Sequence, residues 1–157
     1  MKLRFLLTAL LTYTSTTHLS FGQSPLATAT EYPITSFLGS PSGLGSADGF
    51  GTLARFYLPA GIWGDDTTLY VADGGNHSIR KIIFKTGEVT TLAGAPGVGG
   101  SVDAAGSAAR FGFVEGIWGD GTNLYVCDVG NRTIRQIELA TGNVTTIAGT
   151  AGLQNIT

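Results

Sequence analysis

Between residues 61 and 94 the apolar positions fall into four short groups. "GIWG" (61–64) is a brief apolar run ended by Gly-Asp. "TLYVAD" (68–73) is apolar almost throughout, the pattern of a strand covered on both faces. "HSIRKIIF" (77–84) is longer and mixes charge into its β-branched residues, and "EVTTLAG" (88–94) is Thr-rich and more polar. Asp65–Asp66, Gly74–Gly75 and Thr86–Gly87 separate the groups. Glycine in such short links supplies the positive φ that tight hairpin turns require. The pattern predicts four antiparallel strands joined by three turns, apolar inside and polar at the outer edge.

The same pattern is written twice. Residues 61–94 lie without a gap over 116–149, and 22 of the 34 positions are identical. Upstream, "GSADGFGTLARF" (45–56) lies over "GSVDAAGSAARF" (100–111), and "ITSFLG" (34–39) over "VTTLAG" and "VTTIAG". The chain therefore carries two whole repeats, about 45–94 and 100–149, preceded by the closing segment of another. Four-stranded units in tandem are the blades of a β-propeller, each burying its faces against its neighbours. The fold expected is all-β, with two consecutive four-stranded antiparallel blades. Phe56 and Phe111 are read as plugs between blades, Trp63 and Trp118 as packing residues, and Cys127, which replaces Ala72, as a small buried residue.

The combined pattern "GI…LYV.D.GN..IR.I…TG.VTT.AG" resembles the NHL repeat, with Asn76–His77 and Asn131–Arg132 at the signature positions. The second copy lacks the His, and neither has the Leu in place. The resemblance covers about 34–152. It implies part of a six-bladed propeller, a fold used for protein or ligand binding and scaffolding. It also brings the alternative of a fragment of a propeller enzyme, a lyase or a calcium-dependent hydrolase. Two blades cannot close a ring. The expectation is a piece of a longer propeller, in preference to a trimer of this chain; the partners would be further blades from a longer chain or from other copies.

The N-terminus differs in kind. Lys2 and Arg4, the apolar run "FLLTALL" (5–11), and Ser20 and Gly22 two apart follow the plan of a secretory signal peptide over 1–22, with 23–33 a linker and 34–157 the propeller segment. The run is too short to span a bilayer, and no cysteine near the cleavage point offers a lipid anchor. A secreted or periplasmic protein without a membrane anchor is expected. Without residues 1–22 the formal charge is −4, from 7 basic and 11 acidic residues, which speaks against nucleic acid as a partner.

Strand parity places the turn after each second strand and the long inter-blade link at one end of the propeller, where rigidly presented loops usually carry binding. Asp73, Asn76, Asp128 and Asn131 lie there and are read as structural turn residues, the Asp accepting backbone N–H groups. Arg55 and Arg110 are read as partners of a nearby carboxylate or carbonyl. Positions that differ between copies are the binding candidates: Tyr57 (against Gly112), His77 (against Arg132) and Glu115 (against Ala60). No catalytic residue, metal site or cofactor is assigned. Once the signal peptide is removed, His77 is the one histidine, and neither a Ser-His-Asp set nor a paired-cysteine site is written. Asn-x-Ser/Thr sequons occur at Asn76, Asn131, Asn143 and Asn155.

Overall fold

A computed structural model describes residues 38–40 and 43–152. The signal peptide and linker, and most of the segment 34–39, lie outside these residues. The described chain is all-β. Strand β1 (Gly49–Phe50) is followed by β2 (Pro59–Gly64), β3 (Thr68–Asp73), β4 (Ser78–Ile83) and β5 (Glu88–Gly94). The second repeat gives β6 (Val114–Gly119), β7 (Asn123–Asp128), β8 (Thr133–Glu138) and β9 (Val144–Ala148).

Two antiparallel sheets result, β2-β3-β4-β5 and β6-β7-β8-β9, each in plain sequential order. These are two consecutive propeller blades. One feature goes beyond the sequence expectation: the two-residue β1 pairs with the outer edge of β5, Gly49 opposite Val89, and makes the first sheet five-stranded. At the corresponding place in the second blade there is a single bridge, Ala105 to Asn143.

Each outer strand carries an extra residue. Ile79 and Arg80 of β4 face Ala93 and Thr91, so Leu92 is a bulge; Ile134 and Arg135 face Ala148 and Thr146, so Ile147 is another. The first bulge lets Leu92 and Ala93 both pack toward the second blade.

The main core is the seam between the blades. Tyr70, Ala72, Ile79 and Ala93 of the first blade meet Phe111, Val114, Leu124, Val126, Ile137 and Val144 of the second. Phe111 is fully buried there. The approach is close: a Cβ on Gly61 would stand 2.3 Å from the Glu115 carbonyl oxygen, and one on Gly119 would stand 2.7 Å from the Trp63 ring. A second cluster, Ala54, Val71, Ile82 and Val89, lies on the other face of the first sheet with Leu38, Phe56 and Leu69 packed on it. Leu38–Gly39 thus lie over the first sheet as Ala93–Gly94 lie over the second. A Cβ on Gly39 would meet Phe56 at 3.4 Å, and one on Gly94 would meet Phe111 at 3.2 Å.

Two expectations about packing need correction. Cys127 is exposed rather than buried, and Trp118 is 59% exposed. Both point from the face of the second sheet that lies away from the first. Their counterparts Ala72 and Trp63 point into the seam, where Ala72 is fully buried.

Candidate functional site

The long-loop end of each blade is organised around a buried arginine. Arg80, on the face of β4 away from the second blade, is fully buried. Its Nη1 donates to Asp73 Oδ2 at 2.8 Å and to the Arg55 carbonyl at 2.8 Å. Its Nη2 donates to Asp48 Oδ1 at 2.7 Å and to the Ala47 carbonyl at 3.0 Å. The guanidinium lies 5.0 Å from the centroid of the Phe56 ring, a cation–π geometry.

The carboxylates extend the network. Asp73 accepts the Tyr57 backbone N–H at 2.8 Å and the Asn76 amide at 2.8 Å, while Asn76 also donates to the Gly45 carbonyl at 2.7 Å. Asp48 accepts both the backbone N–H and the hydroxyl of Thr91, each at 3.0 Å.

The second blade repeats this group by group. Arg135 donates to Asp128 at 3.0 Å and to Asp103 at 2.6 Å, and lies 4.9 Å from the Phe111 centroid. Asp128 accepts the Gly112 N–H at 2.9 Å and the Asn131 amide at 2.8 Å, and Asn131 reaches the Gly100 carbonyl at 2.7 Å. Asp103 accepts Thr146 N–H and hydroxyl at 2.9 and 3.0 Å. Burial pushes the Asp103 carboxyl up, but the Thr146 N–H, the Arg135 hydrogen bond, the Thr146 hydroxyl and the Arg135 charge together hold it below the usual range.

The four turn residues are therefore placed as anchors of the inter-blade links, and their polar atoms are spent on that task. The amides of Asn76 and Asn131 are committed in the same way. Arg55 and Arg110 lie beside these networks and donate to carbonyls, Arg55 to Thr52, Leu53 and Ala54, and Arg110 to Ser107 and Ala109. Sequence reasoning passed over Arg80 and Arg135. The signal was present: within "HSIRKIIF" and "RTIRQIEL" the one charged position identical in both copies is this arginine.

The binding candidates separate into two kinds. His77, at φ 55°, donates through Nδ1 to the Gly112 carbonyl of the second blade at 2.9 Å. It bridges the seam. Arg132, in the same conformation at φ 59°, meets no further blade among the described residues and is exposed, as are Glu115 and, in part, Tyr57. Among the described residues no group of three His, Cys, Asp or Glu side chains is arranged to hold a metal ion.

The opposite end carries simple turns. Asp65 accepts the Thr67 and Thr68 N–H groups at 2.7 and 2.9 Å, and Asp120 those of Thr122 and Asn123 at 2.8 and 2.7 Å. Backbone hydrogen bonds from Thr67 and Asn123 respectively lead in holding both carboxyls below the usual range.

Comparison with known proteins fits this architecture. No protein-family model matches the chain. The NHL repeat-containing protein 2 of Bos taurus is 36% identical over 104 residues, 64% of this chain. The repeats are of the NHL type. The chain spans 14% of that relative's length. Among solved structures, a protein of unknown function from Bacteroides thetaiotaomicron shares the fold at a TM-score of 0.60 and 26% identity, covering 64% of this chain and 26% of its own. An auxiliary nutrient binding protein from the same bacterium superposes at 0.57 and 25% identity, covering 71% and 28%. The NHL blades of this chain thus correspond to about a quarter of each of those structures.

Proposed function

We propose that this NHL-repeat chain is an extracytoplasmic binding or scaffolding module, with no chemistry of its own, that engages a protein or small ligand at its long-loop end. The observation that carries the reading is a division of labour at that end. Asp73, Asn76, Arg80 and their counterparts fix the links to the sheets, while Tyr57, Glu115 and Arg132, which vary between repeats, remain exposed on that fixed surface. Loops held rigidly with variable side chains outward are suited to recognition. Residues that resemble catalytic or metal-binding groups are instead consumed by structural bonds. The likeness to a nutrient binding protein supports the class of activity and no particular ligand. Export rests on the signal-peptide pattern of residues 1–22.

The test is a panel of soluble oligosaccharides and peptides titrated calorimetrically against the full chain. For any ligand found, Tyr57→Ala, Glu115→Ala or Arg132→Ala weakens binding about tenfold, as expected on losing one good polar or aromatic contact. Thr86→Ala and Thr141→Ala, at the opposite end, leave it unchanged. Loss confined to the Thr variants sinks the assignment, as does a turnover that His77→Ala abolishes in a folded protein. A fusion of residues 1–22 to a reporter active only outside the cytoplasm tests export, and a silent reporter refutes it.

A further inference from the structure

Three Asn-x-Ser/Thr sequons fall within the described residues, at Asn76, Asn131 and Asn143, and the fold treats them differently. Such a site has two working parts, the Asn amide that takes the sugar and the hydroxyl two residues on. At Asn76 and Asn131 both parts are withdrawn into the blade. Each amide nitrogen donates twice, Asn76 to Gly45 and Asp73, and Asn131 to Gly100 and Asp128. A glycosylated nitrogen keeps one hydrogen, so one of its two bonds would be lost, and the sugar would have to start where a carboxylate and a link carbonyl already stand. The hydroxyl residues Ser78 and Thr133 are buried.

Asn143, which follows the β8–β9 turn, is arranged the other way. Its main chain is held on each side: the N–H donates to the Thr141 hydroxyl at 3.1 Å, the carbonyl accepts the Glu138 N–H at 3.0 Å, and a bridge joins it to Ala105. Val144 is buried, while Asn143 and Thr145, at alternate positions, are both exposed. No hydrogen bond to another described residue engages the Asn143 amide. The repeat does not demand Asn at this place. Glu88 stands there in the first blade, behind the same turn, where the Thr86 hydroxyl accepts its N–H at 3.2 Å. Glu88 keeps part of its surface exposed although the second blade is packed alongside, so the position is open on a covered blade as well.

We propose that Asn143 is a site of N-linked glycosylation, and that Asn76 and Asn131 are sequons in letter only. The sugar comes from a glycosyl diphosphate, nucleotide-linked or lipid-linked. The Asn143 amide nitrogen forms the bond to C1 of the sugar and loses a proton. The bond from C1 to the diphosphate oxygen breaks, and the diphosphate leaves with the electron pair. The β8–β9 turn lies at the end opposite the long loops, so the sugar leaves the long-loop surface clear. The inference is independent of binding there, and either can fail alone.

The test uses the full chain with Asn155→Gln, which removes the sequon outside the described residues. In one arm the folded chain is incubated with a soluble N-glycosyltransferase and UDP-glucose, and sugar at each sequon is followed by mass spectrometry. Each rate is divided by that of the isolated peptide, which removes the enzyme's own preference among sequons. Asn143 reacts at least about tenfold faster than Asn76 or Asn131, whose committed amides are reached only through local opening. Glu88→Asn, which writes Asn-Val-Thr into the first blade, adds a second fast site; a slow one overturns the claim that a packed blade leaves the position open. In the other arm the chain is exported from a eukaryotic host behind that host's export signal, which supplies a lipid-linked donor, and the exported protein bears one glycan that Asn143→Gln removes. Sugar at Asn143 in the first arm alone assigns the nucleotide-linked donor, in the second alone the lipid-linked one, and either supports the site. Failure at Asn143 in both arms overturns it, as does modification of Asn76 or Asn131 in the folded chain at the rate of Asn143.

Discussion

Ala72 and Cys127 occupy the same place in their sheets, as do Trp63 and Trp118, yet the first of each pair is in the seam and the second is open to solvent. The polar constellations behave oppositely: Arg80 and Arg135 are both fully buried, with matching partners throughout. The difference separates two kinds of stabilisation. The arginine networks are internal to a repeat and alike in both copies, down to the guanidinium Nε that is buried without a partner in each. Apolar burial belongs to the pair of blades, so identical residues have different surroundings according to their place in the array.

The largest expected effect tests the internal half of that contrast. Arg80→Met and Arg135→Met each leave a fully buried aspartate, Asp73 or Asp128, without its cation. Each should cost about 3–5 kcal/mol by urea denaturation. The two losses should be nearly equal; a much cheaper change at one of them breaks the equivalence of the blades.

Next come the glycines of the inner strands. Gly61→Ala pushes a methyl into the Glu115 carbonyl and should cost about 1–3 kcal/mol through a displaced seam. Gly116→Ala, its counterpart, meets only the Cys127 side chain, with Sγ at 3.2 Å, and should stay within about 0.5 kcal/mol. Equal costs would mean that seam position does not govern tolerance.

A smaller asymmetry concerns the signature position. His77→Asn should cost about 1 kcal/mol, the worth of one hydrogen bond across the seam, and Arg132→Asn close to nothing. Asparagine is chosen because it accepts the left-handed backbone of both residues. Thermal midpoints decide, and an equal loss at both positions contradicts the bridging role.

The smallest effect is a pH dependence. The depressed pKa of folded Asp103 means that its carboxylate stabilises the fold above its unfolded value, near about 4, and that this contribution is lost as pH falls through the lower folded value. The thermal midpoint of the parent should drop on acidification below about pH 4, and Asp103→Asn should remove part of that drop. An unchanged acid profile in the variant would show that the carboxylate is not among the groups responsible.

Much of this molecule was legible in its sequence, for identifiable reasons. The repeat, the four strands per blade and their turns follow from local pattern, in which "TLYVAD" and "NLYVCD" give the same strand. The burial of Cys127 was misread because composition describes what a residue is suited to, while its exposure depends on a neighbour across the face. The small strand Gly49–Phe50 was missed because it has no strand pattern of its own and forms by pairing with β5. At the candidate site, His77 was grouped with Arg132 because the two differ. Their opposite situations follow only from the presence of Gly112 beyond one and, among the described residues, of no blade beyond the other. Arg80 and Arg135 were passed over because a charge in a strand reads as solvated, although invariance between copies marked them.

The contacts of Asp48 and Asp103 with the outer strands have a consequence beyond tying down the links. A propeller blade ends in an edge whose free N–H groups invite another strand, the usual route to β-aggregation. Each of these aspartates occupies such a donor, Thr91 N–H in one blade and Thr146 N–H in the other, beside the bulge that already disturbs the edge. An incoming strand would have to displace a charged acceptor that is itself held by a buried arginine. The far part of the same edge is covered by β1 in the first blade and by the Ala105–Asn143 bridge in the second, so the aspartate and the link that carries it together occupy the edge of each blade that another sheet would use.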